Sequence, residues 1–169
     1  SKLCLFSFAL LSGFASAQDQ IVSLDISNPE ILDGESTTLT VSYTTSGEVQ
    51  TTGLGLRLHF DSSAVSCEQS AVSNLLAESS IGFQLLDDTD NFDADEATDK
   101  YFNSAWANVN GTWPSTASLP VSLFSVDCAA LGDFNGTTLK FSHSSVASGF
   151  NFVAAEASIS RRVLPIDTT

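Results

Sequence analysis

Between residues 53 and 60 the chain alternates strictly: Leu54, Leu56, Leu58 and Phe60 are interleaved with Gly55, Arg57 and His59. A period of two puts four apolar side chains on one face of an extended strand, an arrangement no helix reproduces. Leu39, Val41 and Tyr43 alternate with Thr38, Thr40 and Ser42 in the same way. Further strands are predicted over 21–26, 65–69, 81–86, 101–109, 121–128, 137–142 and 152–160. Turn pairs separate them: Asp33-Gly34, Ser46-Gly47, Asn110-Gly111, Asn135-Gly136 and Ser148-Gly149. Only residues 70–79, where Val72, Leu75 and Leu76 share a helical face, are predicted as a short helix. Short strands at this spacing bury their apolar faces against a second sheet, so the pattern predicts an all-β antiparallel sandwich. No repeat of 20–50 residues is present, which excludes a solenoid or propeller.

With 169 residues the chain is long enough for one domain. Its 43% hydrophobic content and 12 phenylalanines supply a core, which excludes disorder of the whole chain. Twenty acidic side chains against 6 basic ones give a formal net charge of −14. Such a chain repels phosphate backbones and anionic lipid heads, which argues against nucleic acid and membrane surfaces as partners and favours cations.

Residues 1–17 read as a secretory signal: Lys2 gives the basic start, residues 3–11 the apolar stretch, and Ala15-Ser16-Ala17 a small-x-small cleavage site. The expected mature chain begins at Gln18 and is not inserted in a membrane, since the apolar run is too short to span one. The missing initiator Met suggests a sequence clipped at its start, and Cys4 is expected to leave with the signal. The folded domain is expected over 18–163, with 164–169 as the entry to a linker or tail. Cys67 and Cys128 remain, and in an exported protein a single disulfide is the leading expectation, buried free thiols the alternative. Neither a third mature cysteine nor a CxxC pair is present, so a thiolate zinc site is excluded.

The order Asp33-Gly34-Glu35, then the strand ending at Tyr43, then Gly53-Leu-Gly-Leu-Arg-Leu-His-Phe-Asp-Ser-Ser-Ala-Val65, resembles the opening of cohesin domains. The strands at 123–126, 136–142 and 155–160 are similar to later strands of that family. The resemblance implies a nine-stranded jelly-roll sandwich, shared with several carbohydrate-binding modules, and a non-enzymatic binding or scaffolding role outside the cell or at its surface. Cohesins bind dockerins across an open sheet face through side chains that vary, so the implied partner is a dockerin-like protein and no contact residue carries over. An acidic insertion at 87–99 and the Trp-bearing segment after it depart from the family pattern.

That insertion holds seven of the 20 acids in 13 positions. Calcium takes six to eight hard oxygen ligands, and Asp87, Asp88, Asp90, Asn91, Asp93, Asp95 and Asp99 have the composition of a calcium loop. No register fits an EF-hand, so the signal is compositional, and the plain alternative is a solvated acidic loop. Trp113, beside Asn108 and Asn110 in a turn, is the candidate for an exposed ring that stacks on a sugar, the basis of an alternative reading as a carbohydrate-binding module of a polysaccharide-processing protein. Trp106 is expected in the core. Catalysis is not indicated: His59 and His143 fall at polar strand positions, and there is no HExxH, GxSxG or phosphate loop. A fragment of a glycoside hydrolase is the remaining alternative, because its carboxylate pair is defined in space rather than by spacing.

Overall fold

The computed structural model describes residues 16–70, 75–115 and 118–167. Eleven strands form among them: β1 (Gln18–Ile26), β2 (Glu30–Ile31), β3 (Ser36–Thr45), β4 (Gly53–Phe60), β5 (Val65–Gln69), β6 (Ser80–Asp87), β7 (Lys100–Ala107), β8 (Val121–Ala130), β9 (Thr137–Ser145), β10 (Phe150–Ala154) and β11 (Ala157–Arg161). They build a sandwich of a five-stranded sheet, β10-β1-β3-β8-β5, and a six-stranded sheet, β2-β11-β9-β4-β7-β6. The sandwich is the one expected, but it has eleven strands where nine were implied, and it differs in two further respects. The sheets are mixed, because β10 runs parallel to β1 and β11 parallel to β2. The stretch 152–160 is not one strand, since the chain leaves the first sheet after Ala154 and joins the second at Ala157.

The alternating residues meet where the period placed them. Leu54, Leu56, Leu58 and Phe60 of β4 face Leu39, Val41 and Tyr43 of β3 and Leu123, Phe124 and Val126 of β8, all buried. Gly53 (φ 124°) must be glycine, as a Cβ there would lie 2.0 Å from the Trp106 carbonyl oxygen. Cys67 and Cys128 sit directly opposite across β5 and β8 and are disulfide-bonded. Of the predicted helix, 71–74 lie outside the described residues. The remainder is irregular: the Leu76 amide donates to the Leu123 carbonyl (2.8 Å), and Leu75 and Leu76 pack on the core without helical geometry. Residues 1–15 of the predicted signal also lie outside the described residues, and β1 starts at Gln18. No helix among the described residues is long and apolar enough to cross a membrane.

Of the buried polar side chains, Gln20 makes the most connections within the sandwich. Gln20 of β1 is fully buried; its Nε2 donates to the Tyr43 hydroxyl (2.8 Å), the Gly53 carbonyl (2.9 Å) and the Thr51 hydroxyl (3.3 Å), while its Oε1 accepts from the Ala147 amide (2.8 Å). It ties the first strand to β3, to the start of β4 and to the turn before β10.

Candidate functional site

Two rows of side chains cross the outer face of the six-stranded sheet. Register pairs β6, β7, β4 and β9 through Gln84, Asn103, Arg57 and Ser142 in one row, and through Leu86, Tyr101, His59 and Lys140 in the next. A polar position on such a face, as that of His59, ordinarily meets water. Instead His59 is 0% exposed. The acidic segment between β6 and β7 folds back over the middle of the second row and covers His59 and Tyr101, while Leu86 at its end stays exposed.

Several contacts dock the segment. The Arg57 guanidinium lies 3.8 Å from the centroid of the Phe92 ring, whose plane meets Tyr101 edge-on at 5.8 Å. Lys140 Nζ pairs with Asp95 at 2.7 Å. Beneath them, His59 Nδ1 lies 2.9 Å from Asp88 Oδ2 and 3.9 Å from Asp93 Oδ2, with both carboxylate side chains essentially without exposure. On the other side of the ring, His59 Nε2 and the Ser142 hydroxyl are 2.7 Å apart. Each buried carboxylate is oriented from behind: Asp88 Oδ1 accepts from the Phe92 amide (3.1 Å) and Asp93 Oδ1 from the Asp95 amide (3.2 Å), while the Thr98 hydroxyl donates to Asp93 Oδ2 (2.6 Å).

The seven residues read from composition as a calcium loop are therefore not gathered at one point. Asp88 and Asp93 converge. Asp87 pairs with Lys100, Asp95 with Lys140, and Asp99 accepts from the amide and hydroxyl of Ser62. Asp90 and Asn91 are exposed on the loop surface, Asn91 with φ 52°. His59 is the residue that sequence reasoning missed, since alternation assigns a side chain to a face without revealing what covers that face.

Burial holds the His59 imidazole below its ordinary pKa, overriding the upward pull of Asp93 and Asp88, so the ring is neutral over a wider range than a free histidine. At the loop edge the hydrogen bond from Lys140 holds the Asp95 carboxyl below its usual value, and Lys140 is raised by the same bond.

Ser142, His59 and Asp88 stand in the order nucleophile, base and acid. The resemblance to a hydrolytic triad fails at its second link. Although 2.9 Å apart, His59 Nδ1 and Asp88 Oδ2 are not aligned as a hydrogen bond, and neither atom has another partner. A triad needs that bond to fix the imidazole. Clefts lined by Leu32, Arg161 and Leu164, and by Phe60, Cys67 and Leu85, lie away from Ser142.

The sugar-stacking role expected of Trp113 is corrected. Its side chain is 0% exposed, stacked on Trp106 at 5.7 Å and tilted against Tyr43 at 4.8 Å, with its Nε1 donating to the Glu78 carbonyl. A bridge between Thr51 and Trp113 draws the segment inward, so Trp113 joins Trp106 in the core. Asn108 serves its own turn, its Oδ1 accepting from the Asn110 amide (2.9 Å), and Asn110 is exposed.

No family model matches the chain, and no curated protein matches it in sequence. Solved structures do match in fold. The seventh ScaB type I cohesin of Pseudobacteroides cellulosolvens superposes with a TM-score of 0.54 at 10% identity, over 89% of this chain and 97% of that one. The second type II cohesin module of the ScaA adaptor scaffoldin of Acetivibrio cellulolyticus gives 0.55 at 13% identity, over 88% and 94%. A type I cohesin of Clostridium thermocellum, solved with a dockerin, gives 0.55 at 11% identity, over 84% and 99%. The fold is cohesin-like.

Proposed function

We propose that this chain is a secreted, non-catalytic binding module of cohesin type that holds a dockerin-like protein partner in an extracellular or cell-surface assembly. The observation that carries the reading is the shared sandwich, which spans 99% of a cohesin solved together with its dockerin. The burial of Trp113 supports a protein partner over a sugar, since it removes the aromatic platform of the glycan reading.

The two outer faces differ in what they offer a partner. On the five-stranded sheet Thr38 bonds Asp127 and Thr40 bonds Ser125, a face of short polar side chains satisfied among themselves. The six-stranded face presents Gln84, Asn103 and Arg57, bordered by Leu86 and by Phe92, which is 43% exposed. Aromatic and arginine anchors beside amides are what protein interfaces concentrate, so the partner is assigned to this face. In the same reading the acidic loop binds a divalent cation that stabilises the module, and its composition suggests calcium.

Binding of the full chain to a panel of dockerin modules, measured by biolayer interferometry beside a glycan array, tests the assignment. Binding to at least one dockerin is expected, weakened by at least about tenfold in Gln84→Arg/Asn103→Arg and unchanged in Thr40→Arg on the opposite face. Sugar binding with no dockerin binding would overturn it.

A further inference from the structure

We propose that His59 Nδ1, Asp88 Oδ2 and Asp93 Oδ2 form a binding site for a divalent transition metal of the zinc class, clamped between the acidic loop and the outer face of the six-stranded sheet. The proposal rests on the reading of the loop as cation-binding and changes both its donor set and its ion.

The three donor atoms come from two elements far apart in sequence and lie within 4.8 Å of one another. A zinc-class ion binds nitrogen and oxygen donors at about 2.0–2.2 Å, which sets two donors on one ion roughly 3 to 4 Å apart. The 2.9 and 3.9 Å separations from His59 Nδ1 match that spacing. Two of the three donors are buried polar atoms with no hydrogen bond: His59 Nδ1 and Asp88 Oδ2 face each other at close range without the alignment that would let one serve the other. An ion beside both accounts for two groups that are costly to leave unpaired.

The surroundings are those of a metal site. Both carboxylates commit Oδ1 to a backbone amide and turn Oδ2 to the imidazole. The Ser142 hydroxyl, 2.7 Å from Nε2, can accept from Nε2–H, and in that tautomer the Nδ1 lone pair is free, the outer-shell arrangement that orients metal-bound histidines. The Thr98 hydroxyl donates to Asp93 Oδ2 itself (2.6 Å), which fixes that oxygen toward the imidazole and leaves it a second lone pair. Among the described residues no lysine or arginine lies within 4.0 Å of the Asp88 or Asp93 carboxylates. Lys100 and Lys140 are spent on Asp87 and on Asp95 with Glu156. The Arg57 guanidinium lies against Phe92 and donates to the His143 carbonyl. Two buried carboxylates around a neutral imidazole leave a double negative charge that a divalent ion cancels. A nitrogen donor with only two carboxylates suits zinc, cobalt or nickel and falls short of the six or more oxygens of calcium. Three protein donors leave the fourth position to a water.

The test uses the full chain freed of metal by a chelator and titrated with zinc chloride or calcium chloride at constant ionic strength. His59 and His143 are its only histidines, so long-range 1H–15N spectra of the two imidazoles read the site without any variant. Zinc at one equivalent is expected to move the His59 Nδ1 resonance and not that of His143, and to raise Tm. Calcium is expected to do neither. His59→Gln should abolish the zinc increment and Asp93→Asn should weaken binding by at least about tenfold, while Asp90→Asn leaves it intact. If His59→Gln fails to fold, the wild-type spectra and Asp93→Asn decide. An unmoved His59 resonance in a large excess of zinc overturns the proposal. A calcium increment that survives in Asp93→Asn overturns it and keeps an ion elsewhere on the loop; no increment with either metal removes both readings.

Discussion

Replacing Gln20 with leucine keeps the size of the side chain and removes its hydrogen bonds, so the outcome isolates what a buried amide contributes to this sandwich. The Tyr43 and Thr51 hydroxyls retain each other at 3.3 Å. The Ala147 amide loses its partner, and the Gly53 carbonyl keeps only a 3.5 Å contact with Thr51. Each such orphan costs about 1–3 kcal/mol, and the added apolar surface returns roughly 1 kcal/mol, so the variant should be less stable by about 1–5 kcal/mol, centred near 3 kcal/mol. Urea unfolding under non-reducing conditions, followed by fluorescence of the two buried tryptophans, should show the midpoint falling by about 1–2 M with an unchanged slope. Hydrogen exchange at the Ala147 amide should accelerate more than at β3 amides, because the bond lost is local. A Leu variant within about 0.5 kcal/mol of the parent, with that amide still protected, would refute the reasoning.

Reduction of the Cys67–Cys128 bond, which closes a separation of 61 residues, should lower the unfolding free energy by about 4 kcal/mol in the chain-entropy account; paired melts with and without reductant measure it. Trp113→Ala should destabilise by about 3–5 kcal/mol through the cavity it leaves, and sugars titrated onto the parent protein should not quench its fluorescence. The backbone hydrogen bond from Leu32 and the side-chain bond from Arg162 hold the Glu35 carboxyl below its ordinary pKa. Its stabilising contribution is therefore complete above the unfolded value and is lost as pH falls below roughly 4.3 through the lower folded value. Melting curves of Glu35→Gln should consequently depend less on pH across that acid range than those of the parent.

The fold was legible because its signals are local. The period of two in β3 and β4 names their buried faces, and the glycines of all five turn pairs take positive φ, between 68° and 97°. What stayed hidden depends on the third dimension. Nothing in a five-residue alternation tells that β10 and β11 belong to different sheets, because each satisfies the pattern by itself. His59 obeys the alternation and still ends buried, since its cover comes from a loop about 30 residues downstream whose composition reads as a calcium loop or a solvated surface and says nothing of what it packs on. Trp113 sits among turn residues that favour exposure, and only stacking on Trp106 and pairing with Thr51 take it inside. Of the acidic loop, composition located the segment; which carboxylates turn inward follows from lysines on neighbouring strands.

The parallel pairings of β1 with β10 and β2 with β11 bear on how the chain is made. Each sheet takes in one strand from the start of the chain and one from its end, so the first is finished only once Ala154 has left the ribosome and the second only after Arg161. Until then β1 has one open edge, and β9 awaits the neighbour that β11 provides. Pairings of such long sequence separation close late and slowly, and exposed strand edges in the interval invite association with other chains. A chain stopped after β9 would keep most of its apolar core and still present those edges. The closing strands thus act as the molecule's guard against self-association during synthesis, a burden that falls on about a dozen residues outside the strands that carry Gln84, Asn103 and Arg57.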